Sequence, residues 1–168
     1  MQKAEYEKLI ENIKDFPKPG IVFKDMFPLL QQRFPEVTED MGRKINWSTV
    51  HAVVGIESRG FILGAALAAK HGIGFIPVRK PGKLPPPLIE QSYELEYGTD
   101  TLQMKKQDKK LNVVVVDDVL ATGGTMKATL SLCEKAGLNV VGVSVLMNLT
   151  FLNNLATQVP HVHSVLDY

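Results

Sequence analysis

Four consecutive valines, Val113 to Val116, run into the pair Asp117 and Asp118 and then into Val119, Leu120, Ala121, Thr122, Gly123, Gly124 and Thr125. No other segment restricts the chain so tightly. An unbroken run of β-branched apolar residues suits a strand buried on both faces, as in a parallel sheet covered by helices. The two carboxylates stand where that strand should leave the core, and a helix is predicted from about Thr125. Strand, short Gly/Thr loop and helix together place the loop at the carboxyl edge of an α/β sheet, where open sheets bind ligands.

The loop has the chemistry of a phosphate cradle. Gly123 and Gly124 let the backbone approach a ligand closely, so that successive N–H groups converge on an anion. The following helix adds the positive end of its dipole. Thr122 and Thr125 supply hydroxyl donors, and each charge-assisted hydrogen bond to a phosphate contributes about 1.5 to 3 kcal/mol. Asp117 and Asp118 would repel that phosphate if they faced it. Their natural partners are the vicinal hydroxyls of a ribose, and the implied ligand is a ribose 5-phosphate. No Gly-x-x-x-x-Gly-Lys-Ser/Thr occurs, since the segment from Gly55 to Gly60 ends in Phe61, and no Gly-x-Gly-x-x-Gly is present. The remaining alternatives are a plain Gly turn flanked by two solvated aspartates and a metal-hydrolase use of the Asp pair.

The 168 residues favour a single domain spanning 1–168 with one good core. Nineteen basic against eighteen acidic side chains leave a net charge of +1. Bulk charge therefore recruits no nucleic acid. The single cysteine, Cys133, can form neither an internal disulfide nor a Cys-based metal site, which leaves packing as its role. The N-terminus lacks an apolar signal region, and the apolar stretch Phe61 to Ala69 is too short to span a bilayer, so the reading is cytoplasmic with no membrane partner.

Along the chain, Tyr6, Leu9, Ile10, Ile13 and Phe16 recur at helical spacing and predict an amphipathic first helix stopped by Pro17, Pro19 and Gly20. Ile21 to Lys24 is extended. Phe34, Val37, Met41 and Ile45 predict a second helix with Pro35 in its first turn, and Val50 to Ile56 a strand. Arg59 to His71 reads as a helix closed by Gly72, and Phe75 to Val78 as a strand. Beyond the Pro/Gly-rich loop from Lys80 to Pro87, Tyr93, Leu95 and Tyr97 alternate with polar residues, then turn at Gly98 to Asp100 into Leu102 and Met104. That is a β-hairpin, a separate hood and candidate lid covering about 80–106. A helix ending at Gly137 and a buried strand from Val140 to Met147 follow. The fold class is α/β, a mostly parallel twisted sheet flanked by helices, with a hairpin flap. His161 and His163, lacking a third ligand, fit an ordinary C-terminal strand.

Val114 to Thr125 resembles the phosphoribosyl pyrophosphate motif of the type I phosphoribosyltransferases. Three further segments narrow the resemblance to the adenine phosphoribosyltransferases: Phe16-Pro17-Lys18-Pro19-Gly20-Ile21-Val22-Phe23-Lys24-Asp25, Gly55-Ile56-Glu57-Ser58-Arg59-Gly60-Phe61, and Arg79-Lys80-Pro81-Gly82-Lys83-Leu84-Pro85 with Tyr93-Glu94-Leu95-Glu96-Tyr97-Gly98. It runs from the N-terminus to about Met147, and no motif is recognisable from Gln31 to Thr49 or in the tail.

The resemblance implies transfer of the phosphoribosyl group from phosphoribosyl pyrophosphate to adenine, giving AMP and pyrophosphate, with Mg2+ held mainly by the substrate and no direct protein ligand. It implies a homodimer. It assigns Asp117, Asp118, Ala121, Thr122, Gly123, Gly124 and Thr125 to the ribose phosphate, and Arg59, Lys83 and Tyr97 to pyrophosphate and the lid. Glu96 becomes the general acid/base acting at N7, with Arg59 as its catalytic partner. Taken alone, Arg59 would be an ion-pair partner of Glu57, and Lys83 and Glu96 would be solvated. Adenine is assigned to the backbone at Val22 and Lys24, with Phe23 and Val119 sandwiching the ring. Backbone readout suits adenine, whose amino donor and ring-nitrogen acceptor complement a peptide's C=O and N–H. Lys24 stands where many relatives carry Arg. The competing functions are a phosphoribosyltransferase for another base and a regulator that only senses phosphoribosyl pyrophosphate.

Overall fold

A computed structural model describes residues 2–95, 98–159 and 161–168. The chain divides into two compact units, residues 1–40 and 41–168. The first opens with α1 (Gln2–Glu7), followed by an antiparallel ribbon of β1 (Glu11–Lys14) and β2 (Val22–Asp25), in which Ile13 stands opposite Phe23. The long amphipathic first helix predicted for this stretch is therefore cut short. Its apolar spacing continues, but Ile13 and Phe16 are exposed, and Ile13 belongs to the strand β1. Tyr6 is buried, and its hydroxyl donates to Asp40 at 2.8 Å.

The second helix, α2 (Phe27–Gly42), starts earlier than its apolar stripe predicts and ends before Ile45. Arg33, at φ −136°, breaks it into two helical pieces. Pro35 sits two residues past that break, at the start of the second piece, where a missing N–H costs nothing.

The second unit is built on five strands, all parallel: β3 (Ala52–Ile56), β4 (Gly74–Val78), β7 (Asn112–Leu120), β8 (Asn139–Asn148) and β9 (Val162–Asp167), between which the hairpin strands β5 (Leu88–Glu94) and β6 (Thr99–Lys105) intervene in sequence. Their spatial order is β4-β3-β7-β8-β9. α3 (Arg59–His71) packs against β3, β4 and β7, while α4 (Gly124–Lys135) packs against β7, β8 and the hairpin. The short α5 (Leu155–Gln158) precedes β9. Gly72, at φ 63°, caps α3 in the left-handed conformation predicted for it. The α/β sheet expected from the sequence is the one found.

Two departures bear on the site. β7 does not end at its carboxylates but runs on to Leu120, so Asp117 and Asp118 are buried rather than solvated. The hairpin is a two-stranded sheet of its own, as expected, but it is anchored to the body: Leu102 and Met104 are buried in the core, and Arg79 and Gln103 exchange backbone hydrogen bonds of 2.9 and 2.7 Å. Its apolar face is simply too large to leave in water. Cys133 is fully buried in the same core, and burial pushes its thiol up to about 12, which leaves it an inert packing residue.

Candidate active site

The strand order sets the place. The chain leaves β3 for one side of the sheet and β7 for the other, so β3 and β7 flank the topological switch point, where a crevice opens beyond their carboxyl ends. The turn after β3 carries Glu57 and Ser58 and leads into Arg59, the first residue of α3; the loop after β7 carries Ala121 to Gly123. Gly55 lies beside Val116 in register, which brings the two loops together.

The β7 loop has the shape its residues predict. Gly123, at φ 90°, takes the left-handed turn, and α4 starts at the next residue with a Lys127 N–H to Gly123 C=O bond of 2.9 Å. A hollow of about 80 Å3 is lined by Asp117, Val119 and the run 120–126. That is room for a phosphate group. A larger hollow of about 420 Å3, lined by Lys44, Asn46, His161 and His163 among others, lies by the amino ends of β8 and β9, at the opposite edge of the sheet from the carboxylates.

Ion pairs organise the rest. Arg59 does not pair with Glu57; its Nε lies 2.7 Å from Asp118 Oδ2. Glu57 instead takes three partners: the Lys83 ammonium, the Arg79 Nε at 3.3 Å and the Lys80 backbone N–H at 2.9 Å. Burial pushes the Glu57 carboxyl up, but these three donors together outweigh it and hold the group below the usual range. Lys83 is thus tied to the β3 loop while its side chain stays exposed. Asp117 is the opposite case. Burial first, and then the charge of Asp118, push its carboxyl well above the ordinary value, against the pull of the Asp118 N–H at 2.9 Å and of Arg59.

The hairpin is linked to the loop by a chain of polar groups. The Thr125 hydroxyl donates to Tyr93 Oη at 3.3 Å, Tyr93 donates to Asp100 at 3.3 Å, and Asp100 accepts from Lys80 Nζ at 2.8 Å. The Lys80 bond is the main reason the Asp100 carboxyl lies below its ordinary value. The Tyr93 ring packs over Gly124, where an added Cβ would sit 3.5 Å from it, an ordinary contact.

Three contributors escaped the sequence reading. A Cβ on Gly60 would lie 2.9 Å from both Asp117 Oδ1 and the Val116 carbonyl, so only glycine lets α3 start this close to β7. Tyr93 stands in the hairpin's apolar alternation and in the segment that ends at Gly98, and neither gives its hydroxyl the partners it has, Thr125 and Asp100. Asn153, between β8 and α5, faces the phosphate loop with its side-chain amide. Gly60 and Tyr93 stand inside recognised motifs, but the contacts that matter come from elements distant in sequence, and Asn153 belongs to no local pattern.

The adenine assignments fall on both units. Val22, Phe23 and Lys24 form β2, where Phe23 stacks edge-on with Phe16 at 5.2 Å and Lys24 Nζ donates to Asn12 at 3.2 Å. A two-stranded ribbon leaves the N–H and C=O of alternate residues pointing outward, the kind of backbone edge that a base could read. Val119 is part of β7, next to Asp118. Glu96 and Tyr97 lie outside the described residues.

Residues 31–167 match the phosphoribosyl transferase domain family, and sheet and loop together define a phosphoribosyltransferase. The chain is 49% identical over 164 residues to the adenine phosphoribosyltransferase of Bdellovibrio bacteriovorus, covering 96% of this chain and 98% of that one. It is similar in structure to the adenine phosphoribosyltransferase of Rhodothermus marinus, with a TM-score of 0.90 and 43% identity over 98% and 97% of the two chains. The enzyme of Saccharomyces cerevisiae, complexed with an imino-altritol bisphosphate and adenine, matches with a TM-score of 0.82 and 32% identity over 97% of each chain. The chain belongs to the adenine phosphoribosyltransferase family. The likeness continues past Met147 and through 31–49, where no motif was recognisable from sequence.

Proposed function

We propose that this chain joins adenine to the ribose of phosphoribosyl pyrophosphate, giving AMP and releasing pyrophosphate. The observation that carries the reading is the Gly123 to Thr125 cradle at the switch point beside Asp117, Asp118 and Arg59, in a chain that matches adenine phosphoribosyltransferases over nearly its whole length. Breaking the bond at the anomeric carbon leaves a cationic sugar and a departing group of high negative charge. Stabilising that group is the main electrostatic task.

Arg59 and Lys83 serve it. Each is held by a carboxylate in this state, Arg59 by Asp118 and Lys83 by Glu57. Pyrophosphate oxygens exchange for those carboxylates, which frees Asp118, alongside Asp117, to accept from the ribose hydroxyls. Ala121 to Thr125 hold the 5′-phosphate. Glu96 manages the proton at N7 as N9 bonds to the ribose, and Tyr97 takes part in closing the flap over it. The backbone at Val22 and Lys24 reads adenine, with Phe23 and Val119 against the ring.

Mg2+, a hard cation that prefers oxygen ligands, would be held mainly by the phosphoribosyl pyrophosphate, whose charge it would offset. Among the described residues no group of three or more His, Cys, Asp or Glu is placed to hold a metal. In this reading the chain's own part is to grip the substrate's oxygens. The protein acts in the cytoplasm as a homodimer; no helix among the described residues is long and apolar enough to cross a membrane.

The test is pyrophosphate release by the purified chain given phosphoribosyl pyrophosphate, Mg2+ and, in turn, adenine, hypoxanthine, guanine and orotate. Release with adenine alone is expected, because a 6-oxo base reverses the donor and acceptor pattern and loses about 1 to 3 kcal/mol per unpaired group. Binding of phosphoribosyl pyrophosphate without release for any base would turn the assignment to a sensor.

A further inference from the structure

Asn153 lies thirty residues beyond the phosphate loop, yet its side chain is bonded into it. Its Nδ2 sits 2.7 Å from the Ala121 carbonyl, 3.0 Å from the Leu149 carbonyl, 3.1 Å from Asn148 Oδ1 and 3.4 Å from the Leu120 carbonyl. Its Oδ1 accepts the Leu155 N–H at 3.0 Å. With acceptors on one side of the amide and a donor on the other, the orientation of the side chain is determined. The shortest of the four contacts goes to Ala121. The Leu120 C=O already receives the Leu149 N–H and the Leu149 C=O the Leu152 N–H, each at 2.9 Å, so the Asn153 protons are most needed by the Ala121 carbonyl and Asn148 Oδ1.

The consequence follows from the planar peptide. Across the trans Ala121–Thr122 bond, a carbonyl turned toward Asn153 sends the Thr122 N–H to the opposite side. We propose that Asn153 is a positioning residue for the 5′-phosphate: by clamping the Ala121 carbonyl it aims the Thr122 amide, the first donor of the cradle, at the anion. This rests on the assignment of the loop to phosphate. Without the clamp the peptide is free to flip, the cradle loses a preorganised donor, and the group that suffers is the ligand's phosphate rather than its reacting carbon.

Asn153→Asp separates the two ends of the side chain, because it keeps the acceptor for Leu155 and abolishes the donors. Asn153→Ala removes both but adds no charge, so its effect on an anion is not repulsion. Thr157→Ala, which deletes the bond from the Thr157 hydroxyl to the Asn154 carbonyl at 2.7 Å, disturbs α5 without touching Asn153. Calorimetric titration of the full chain with ribose 5-phosphate, alongside steady-state kinetics, reads all three. We expect ribose 5-phosphate affinity to fall about 3- to 10-fold in Asn153→Ala and further in Asn153→Asp, and to stay unchanged in Thr157→Ala. The KM for phosphoribosyl pyrophosphate should rise in parallel while kcat stays within about two-fold.

Ribose 5-phosphate affinity within two-fold of the parent in Asn153→Ala would overturn the proposal, as would an equal loss in Thr157→Ala. Thr125→Ala tells which statement has failed. If it weakens ribose 5-phosphate while the Asn153 variants do not, only the positioning role falls; if it too has no effect, the phosphate assignment of the loop falls with it.

Discussion

Replacing Gly60 by alanine is the most exacting test of how α3 and β7 share the site. The added Cβ would meet Asp117 Oδ1 and the Val116 carbonyl, each at 2.9 Å, and Asp117 Cα at 3.3 Å. Two of these are backbone atoms of a central strand hydrogen-bonded on both sides, so β7 cannot yield. The start of α3 must therefore retreat by about half an ångström to regain ordinary contact. Overpacking of this kind costs about 1 to 3 kcal/mol, or a fall of roughly 2 to 12 °C in Tm for a domain of this size.

Arg59 moves with the helix. It loses register with Asp118, now 2.7 Å away, and a misplacement of half an ångström in a positioning group costs on the order of 10-fold in rate, given about 100-fold for 1 Å. Thermal unfolding and pyrophosphate release measure the two effects. Gly142→Ala is the control: its Cβ would meet nothing closer than 3.7 Å, and stability should change by less than about 1 kcal/mol. A Gly60→Ala protein with parental Tm and turnover would show that α3 does not need this close approach, and the argument about the site's geometry would fail.

Other expectations follow from the charges and hydrogen bonds. Asp117→Asn should raise Tm at neutral pH, because a carboxyl whose folded pKa is raised contributes stability only at low pH and loses it as pH rises through that value; the gain should vanish toward pH 3.8, the ordinary value, and a gain that persists there would refute the assignment. Glu57 has the opposite sign. Its folded pKa is depressed, so its contribution is present above 4.5 and lost as pH falls through the folded value, and Glu57→Gln should flatten the acid limb of the stability curve followed by urea unfolding. Tyr93→Phe keeps the ring against Gly124 and deletes two long hydrogen bonds, so it should cost no more than about 1 kcal/mol by the same method; a larger loss would mean the chain from Thr125 to Lys80 is more tightly coupled than its 3.3 Å distances imply. Glu96→Ala should lower kcat far more than it weakens phosphoribosyl pyrophosphate binding, and equal losses in both assays would remove its role as acid/base.

The sequence by itself determined the elements whose signals are short-range. Four valines make a buried strand, Gly123 and Gly124 make the loop after it, Gly72 ends α3, and alternation at Tyr93, Leu102 and Met104 makes a hairpin, because φ/ψ preference and side-chain period act within a few residues. The same rule misjudged the N-terminus: the spacing of Tyr6, Leu9, Ile10, Ile13 and Phe16 fits a helix, yet cross-strand pairing of Ile13 with Phe23 decides the outcome there. Tertiary structure alone decided the partners. That Arg59 pairs with Asp118 and Glu57 with Lys83, that Asp117 is pushed up in pKa, that Gly60 must be glycine and that Asn153 holds the Ala121 carbonyl all depend on the order β4-β3-β7-β8-β9, which sets residues 55–60, 116–121 and 153 side by side. Burial and Coulomb interactions act through space, and distance along the chain carries no record of them.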